Sequence, residues 1–421
     1  YQPIKFKATD LKRGKVQISN NYNFTNFDNL DFTWRITGDD RTISSGRLTS
    51  LNLNPQESKE IFFNTSNIVQ RAGVRYFLTV EAKTRNSKPL VPKKHLVAWE
   101  QFELPLYVPL SKKETNAQFN LVSQENDRLI EIKSNDVHIV FNKETGFLES
   151  YEVGLVKYLK QPIVSNFWRA PNDNDLGNGM PKRTGIWKDA GKRMQLKDIA
   201  VSEIKNSVQV STIHFDSLSS TTISTQYKIY NEGAIRLDRK IEILDNTLPE
   251  IPRIGVKLSM LGSFNNVTWF GRGPHESYWD RKQSAAIGVY SGTVWDQTYQ
   301  YVRPQETGNK TDVFWMAVFN EKRNGLMAVG LPSFDGSVHR YPYDDLDYYP
   351  GAQRHGKLDV VPKDHTDWLI DLKQMGVGGD NSWGAKPMKK YTIYPGVYNQ
   401  SMLLIPFTSK ADFTKLSKKR F

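Results

Sequence analysis

Hydrophobic positions along this chain recur with a period of two far more often than with a period of 3.6. Leu30, Phe32, Trp34 and Ile36 alternate with Asp31, Thr33 and Arg35, and Tyr76, Leu78 and Val80 alternate with Phe77, Thr79 and Glu81. Ile235, Leu237, Ile241 and Ile243 alternate with Arg236, Asp238, Lys240 and Glu242 in the same way. Successive side chains of a strand point to opposite faces, so each run predicts a strand with one buried face. Turn residues separate the runs, as at Asn231, Glu232 and Gly233, or at Glu144, Thr145 and Gly146. No amphipathic helix longer than three turns is predicted, and the fold class is all-β, built from sandwiches.

A break stands at Leu104–Lys113, where Pro105, Pro109 and a polar stretch follow a strand-like run. Proline cannot donate to a β-ladder, so this segment predicts a linker. The expected domains are an immunoglobulin-like sandwich over 1–105, a linker over 106–116, a large β-domain over 117–408 and a basic tail over 409–421. Ser111–Asn116 is the expected site of proteolytic nicking.

Composition narrows the chemistry. The 421 residues include no cysteine, which excludes disulfides, zinc thiolates, iron–sulfur clusters and a cysteine nucleophile. Zero cysteine fits cytoplasm and periplasm equally, so the compartment stays open. The net charge of +12 is scattered except at the C-terminus, which argues for a solvated surface rather than nucleic-acid binding. No apolar run approaches the ~20 residues of a membrane span. The first residue is Tyr1, so the expectation is a chain processed or cut from something longer. Asn-x-Ser/Thr triplets such as Asn23–Thr25 and Asn309–Thr311 are frequent by chance.

Three segments could carry chemistry. Asn166–Asp175 gathers carboxylates and amides around a proline and reads as a side-chain-capped turn or an oxygen-rich cation loop. Trp269–Lys282 and Lys373–Gly384 are glycine-containing turns without the helix or lysine of a phosphate loop. His339, His355 and His365 have irregular spacing for zinc. Candidate carboxylates are Glu276 beside His275, and Asp344 with Asp345; solvated loops explain each of them.

In order and spacing, Arg169–Asp175, Gly271–Arg281 and Gln374–Trp383 resemble the C-terminal end of the glycoside hydrolase family 2 β-galactosidases. Tyr301–Glu306, His339–Tyr343, Leu51–Pro55 and Val97–Phe102 are similar too, so the resemblance spans essentially residues 1–408. It implies a second immunoglobulin-like domain followed by a β-supersandwich, a fold similar to galactose mutarotase. The family's catalytic glutamates lie on a (β/α)8 barrel that has no counterpart here. Retaining hydrolysis needs two carboxyl groups roughly 5–5.5 Å apart. The implied catalytic residues in this chain are therefore none, and the chain alone is expected to be inactive. No cofactor is expected in it, although full-length members often use Mg and Na. The implied partners are a β-galactoside, the preceding domains and further copies of the intact enzyme.

The resemblance also implies a sugar-stacking tryptophan just upstream of the last turn, and the nearby one is Trp368. A gapless match puts Asp367 at that position, and one residue of slip reverses a strand's face. Trp368 is thus either the substrate-binding platform or a core residue. A free-standing carbohydrate-binding sandwich and an aldose epimerase-like enzyme are the competing functions. The latter would draw on His275 with Glu276, or on Glu306 with His339 or His355, as acid and base.

Overall fold

A computed structural model describes residues 1–49, 51–111, 120–347, 359–381 and 383–421. The chain divides into two compact units, residues 1–113 and residues 114–419 with Phe421.

The first unit holds β1 (Ile4–Asp10), β2 (Lys15–Asn20), β3 (Leu30–Gly38), β4 (Arg41–Leu48), β5 (Ser58–Phe62), β6 (Tyr76–Thr84) and β7 (Leu96–Leu104). They form two antiparallel sheets, ordered β1-β2-β5 and β4-β3-β6-β7. Val16 and Ile18 of one sheet share a core with Phe32, Ile36, Leu78 and Val80 of the other. These are alternate positions of their strands, so the period of two is the sandwich. After β7 the chain stays on this unit: Val108 bridges to Ala72, and Gly73 N–H donates to its carbonyl at 2.7 Å. Most of the expected nicking site, residues 112–116, lies outside the described residues.

The second unit begins with β8 (Val122–Glu125), β9 (Leu129–Lys133), β10 (Val137–Asn142), β11 (Leu148–Val153) and β12 (Val156–Lys157). These form a sheet of their own. The rest is one large antiparallel sheet of β13 (Leu159–Asn166), β14 (Gln195–Ile204), β15 (Ser207–Asp216), β16 (Thr221–Ile229), β17 (Ile235–Ile243), β18 (Arg253–Met260), β19 (Asn266–Gly273), β20 (Ala286–Thr293), β21 (Lys310–Phe319), β22 (Gly325–His339), β23 (Thr366–Gln374) and β24 (Gly396–Phe407). Its order is β13-β18-β23-β22-β24-β17-β16-β15-β14, with β21, β19 and β20 branching from β22. The branch exists because β22 is long: Gly325–Gly330 pair with β24, and Asp335–His339 pair with β23. The protein is thus mostly β, an immunoglobulin-like sandwich followed by a large supersandwich.

The same alternate positions of β17 feed two apolar clusters. Ile235 and Leu237 pack with the five-stranded sheet, and Ile241 and Ile243 pack with Phe167, Trp168, Met180 and Trp187. Between them on β17 sits Arg239, 4% exposed, which donates to Gly255 O, Gln400 Oε1 and Ser165 Oγ. Burial lowers its pKa to about 10.

The C-terminal residues, expected as a basic tail, are docked instead. Phe413, on a short helix over Phe413–Leu416, packs on Phe407 and Phe319, and Phe421 stacks on Tyr230. The count of lysines masked two aromatic anchors. No helix of the described residues is long and apolar enough to cross a membrane.

Candidate functional site

The three motif segments, far apart in sequence, meet in the second unit. The loop after β13 turns into a single helical turn, Asp173–Gly177, closed by a capping box. Asn172 Oδ1 accepts from Asp175 N–H at 2.8 Å, and Asp175 Oδ2 accepts from Asn172 N–H at 3.1 Å. Asp175 is fully buried and also takes one Arg169 nitrogen on both oxygens, at 2.7 and 2.8 Å. The other terminal nitrogen of Arg169 donates to the carbonyls of Met375 and Gly376. Asn172 and Asn174 each donate to Val377 O at 3.2 Å, and Asp280 Oδ2 accepts from Gly378 N–H at 2.9 Å. The glycine-rich turn after β23 is therefore clamped by both other motifs.

Only glycine fits its last position. Gly384 has φ +79, and a Cβ there would lie 2.6 Å from the Gly177 carbonyl oxygen. Immediately before it, Trp383 is 93% exposed. Across the helical turn, Asp173 is bonded by Gln305 at 3.0 Å and paired with Arg303 at 3.3 Å.

Behind this rim lies a sealed polar cluster. Arg253 pairs with Glu306 at 3.0 Å and Asp371 at 3.2 Å, and all three side chains have no exposed surface. The Tyr343 hydroxyl donates to Glu306. Asp371 stands directly opposite Asp335 across the β22–β23 ladder. Burial raises the pKa of Asp371 well above the ordinary carboxyl range, against the pull of Arg253. Asp335 is pushed up to about 7, first by burial and then by Asp312.

The residues singled out from sequence are dispersed by this arrangement. His275 bonds Ser284 at 2.9 Å, whereas Glu276 is bound by Gly308 N–H at 2.9 Å, Thr307, Tyr301 and Arg281. The neighbours in sequence do not act on one point. Asp344 faces Lys192, and Asp345 pairs with Lys363. His339 is buried against Tyr341 and Ser337, and burial lowers its pKa to about 3. His365 bonds Asp367 at 2.7 Å, and His355 lies outside the described residues. Glu306 and His339 are 3% and 0% exposed, so the pair an epimerase would need is closed to a substrate.

Trp368 requires a correction. It is 0% exposed, stands between β18 and β22, and belongs to the main core cluster. No ring face is open to a sugar, because β23 is covered on both faces: Asp367 and Leu369 are as buried as Trp368 and Ile370. The exposed indole is Trp383, which the motif pattern did not single out. The available signal was its setting: Gly378, Gly379, Asp380, Asn381 and Gly384 around it exclude a strand core.

Among the described residues no group of three or more His, Cys, Asp or Glu side chains converges as a metal site would.

Comparison with known proteins covers both units. Residues 16–105 match "Beta-galactosidase, domain 4", and residues 133–404 match "Beta galactosidase small chain". A β-galactosidase of Priestia megaterium is 31% identical over 94% of this chain and 37% of its own length. One from Lactobacillus delbrueckii subsp. bulgaricus is 27% identical over 94% of this chain and 38% of its own. Among solved structures, galactose 1-epimerase from Lactobacillus acidophilus is similar at a TM-score of 0.39 and 8% identity, over 69% of this chain and 98% of its own. The chain spans two-fifths or less of the length of these curated relatives. With domain 4 matched in the first unit and the small chain matched across most of the second, this chain belongs to the β-galactosidase small-chain family.

Proposed function

We propose that this chain is the C-terminal part of a β-galactosidase that hydrolyses terminal β-D-galactosyl residues. In this reading a preceding barrel carries the nucleophile and the general acid/base, and the chain supplies support and part of the active-site rim. The match to both C-terminal β-galactosidase domains, over 94% of the chain but only 37% of the relative, carries the proposal. The site agrees with it: Glu276 and Glu306 are each held by several donors, so neither is free to attack an anomeric carbon.

The rim element is Trp383. Sugar C–H faces are weakly apolar, and an exposed indole is their natural platform. Arg169, Asn172, Asn174 and Asp280 fix the start of the turn at Met375–Gly378, and Trp383 N–H donates to Asn381 Oδ1 at 2.9 Å. The experiment is an assay of a chromogenic β-galactoside with the isolated chain and with the full-length enzyme. Turnover is expected only from the full-length enzyme; enzyme-level turnover by the purified chain, free of host enzyme, overturns the reading.

A further inference from the structure

A second place in the large unit has the makings of a ligand site and lies apart from the Trp383 turn. The end of β13, the turn at residues 188–192 and the turn at residues 343–347 enclose a cleft of about 130 Å3. That is close to the ~150 Å3 of a cavity that admits benzene. Trp168 and Tyr343 give it apolar walls, and Lys188, Lys192 and Lys257 line it as well.

Two of those lysines are already matched. Lys188 pairs with Asp347 at 2.5 Å, and Asp347 also accepts from the Trp168 indole N–H at 3.3 Å. Lys192 lies 3.2 Å from Asp189 and 3.6 Å from Asp344.

Lys257 is different. It projects from β18, opposite Val164 of β13, with 18% of its side chain exposed. The carboxylate oxygen it faces, Asp367 Oδ2, is 3.7 Å away and already accepts from Tyr343 N–H at 2.7 Å. The other oxygen of Asp367 is taken by His365 and Ser259. The Lys257 ammonium therefore has three N–H donors and no acceptor at hydrogen-bond distance among the described residues. Asn166 sits one diagonal step away on the same face of the β13–β18 ladder. Its carbonyl oxygen accepts from Trp168 N–H, while its amide nitrogen, buried, has no acceptor either. The Lys257 ammonium is open to the cleft, with 18% of its side chain exposed, and a cation there calls for a partner of opposite charge.

The open ammonium of Lys257 is a donor, and the acidic side chains of the cleft are already engaged by lysines. We propose that this cleft binds a small oxyanion, the carboxylate or phosphate group of a small molecule. Lys257 Nζ is its charged donor, and Trp168 and Tyr343 flank the body of the ligand. This site is independent of the proposed glycosidase function.

The test is calorimetric titration of the intact protein that carries this chain, with inorganic phosphate in one arm and acetate in the other, at constant ionic strength. Saturable binding of either is expected, and the arm that saturates identifies the oxyanion. A charge-assisted hydrogen bond lost in Lys257→Met should weaken that binding by about tenfold or more. Lys257→Gln, which keeps a neutral donor but removes the charge, should weaken it as well and serves if the methionine variant fails to fold. No saturation in either arm, or wild-type affinity in the folded variants, overturns the proposal.

Discussion

Two tryptophans fifteen positions apart, Trp368 and Trp383, meet opposite fates. Trp368 lies on β23 with strands hydrogen-bonded on both sides, and its alternate position points it into the core. Trp383 lies on a turn whose neighbours are too small and polar to cover it, and it is 93% exposed. A tryptophan's chemistry is the same in both. What differs is whether the backbone around it has partners on both edges, which fixes a face, or is held at a few points by side chains, which leaves a ring free.

The largest effect expected from breaking this contrast is at Trp368. Trp368→Ala should cost roughly 3–5 kcal/mol of unfolding free energy, read by denaturant titration. A loss below about 1 kcal/mol would mean that the indole is not part of the packed core. Arg169→Met should come close behind, because it leaves the fully buried Asp175 without its bidentate partner. Breaking a buried pair from one side costs about 3–5 kcal/mol, and Asp175→Asn in the same background should recover part of it.

The sealed region around β22 and β23 should show itself through pH. His339 is held at about 3 when folded, below its ordinary value, so the unfolded chain binds more protons between about pH 3 and 6.5. Stability should fall as pH drops through that window, and His339→Gln should flatten the fall. Asp335, raised to about 7, has the opposite sign. The folded state holds a proton that the unfolded chain gives up above about pH 4, so stability should fall as pH rises from there to 7. Asp335→Asn should remove that slope, and melting curves across the range decide both.

The smallest thermodynamic effect is expected at Trp383. Trp383→Ala should change stability by less than about 0.5 kcal/mol, as exposed positions do. Under the proposed function, Trp383→Ala in the full-length enzyme should raise KM for a β-galactoside by about tenfold or less, the scale of one aromatic contact. Unchanged kinetics in a folded variant would remove the platform role from this turn.

Much of the architecture was legible because a strand writes its faces into sequence at period two. Val16, Ile18, Phe32, Ile36, Leu78 and Val80 all enter the core of the first sandwich. The C-terminus was not legible, because Lys415, Lys418, Lys419 and Arg420 dominate its composition while Phe413 and Phe421 do the docking. Trp368 was ambiguous because one residue of register reverses a strand's face, and the local sequence does not show that β23 is covered on both faces.

The sequence by itself determined the fold class, the alternation of buried faces and the motifs that mark this family. Their meeting was decided only in three dimensions. Arg169 binds carbonyls 206 and 207 positions away, and a carbonyl acceptor carries no residue-type signature to search for. Arg253 finds Glu306 and Asp371 across strands joined by long connections, where any of many carboxylates would have matched as well on paper. Local pattern sets which way a side chain points; which partner stands there is set by strand pairing between segments distant in the chain.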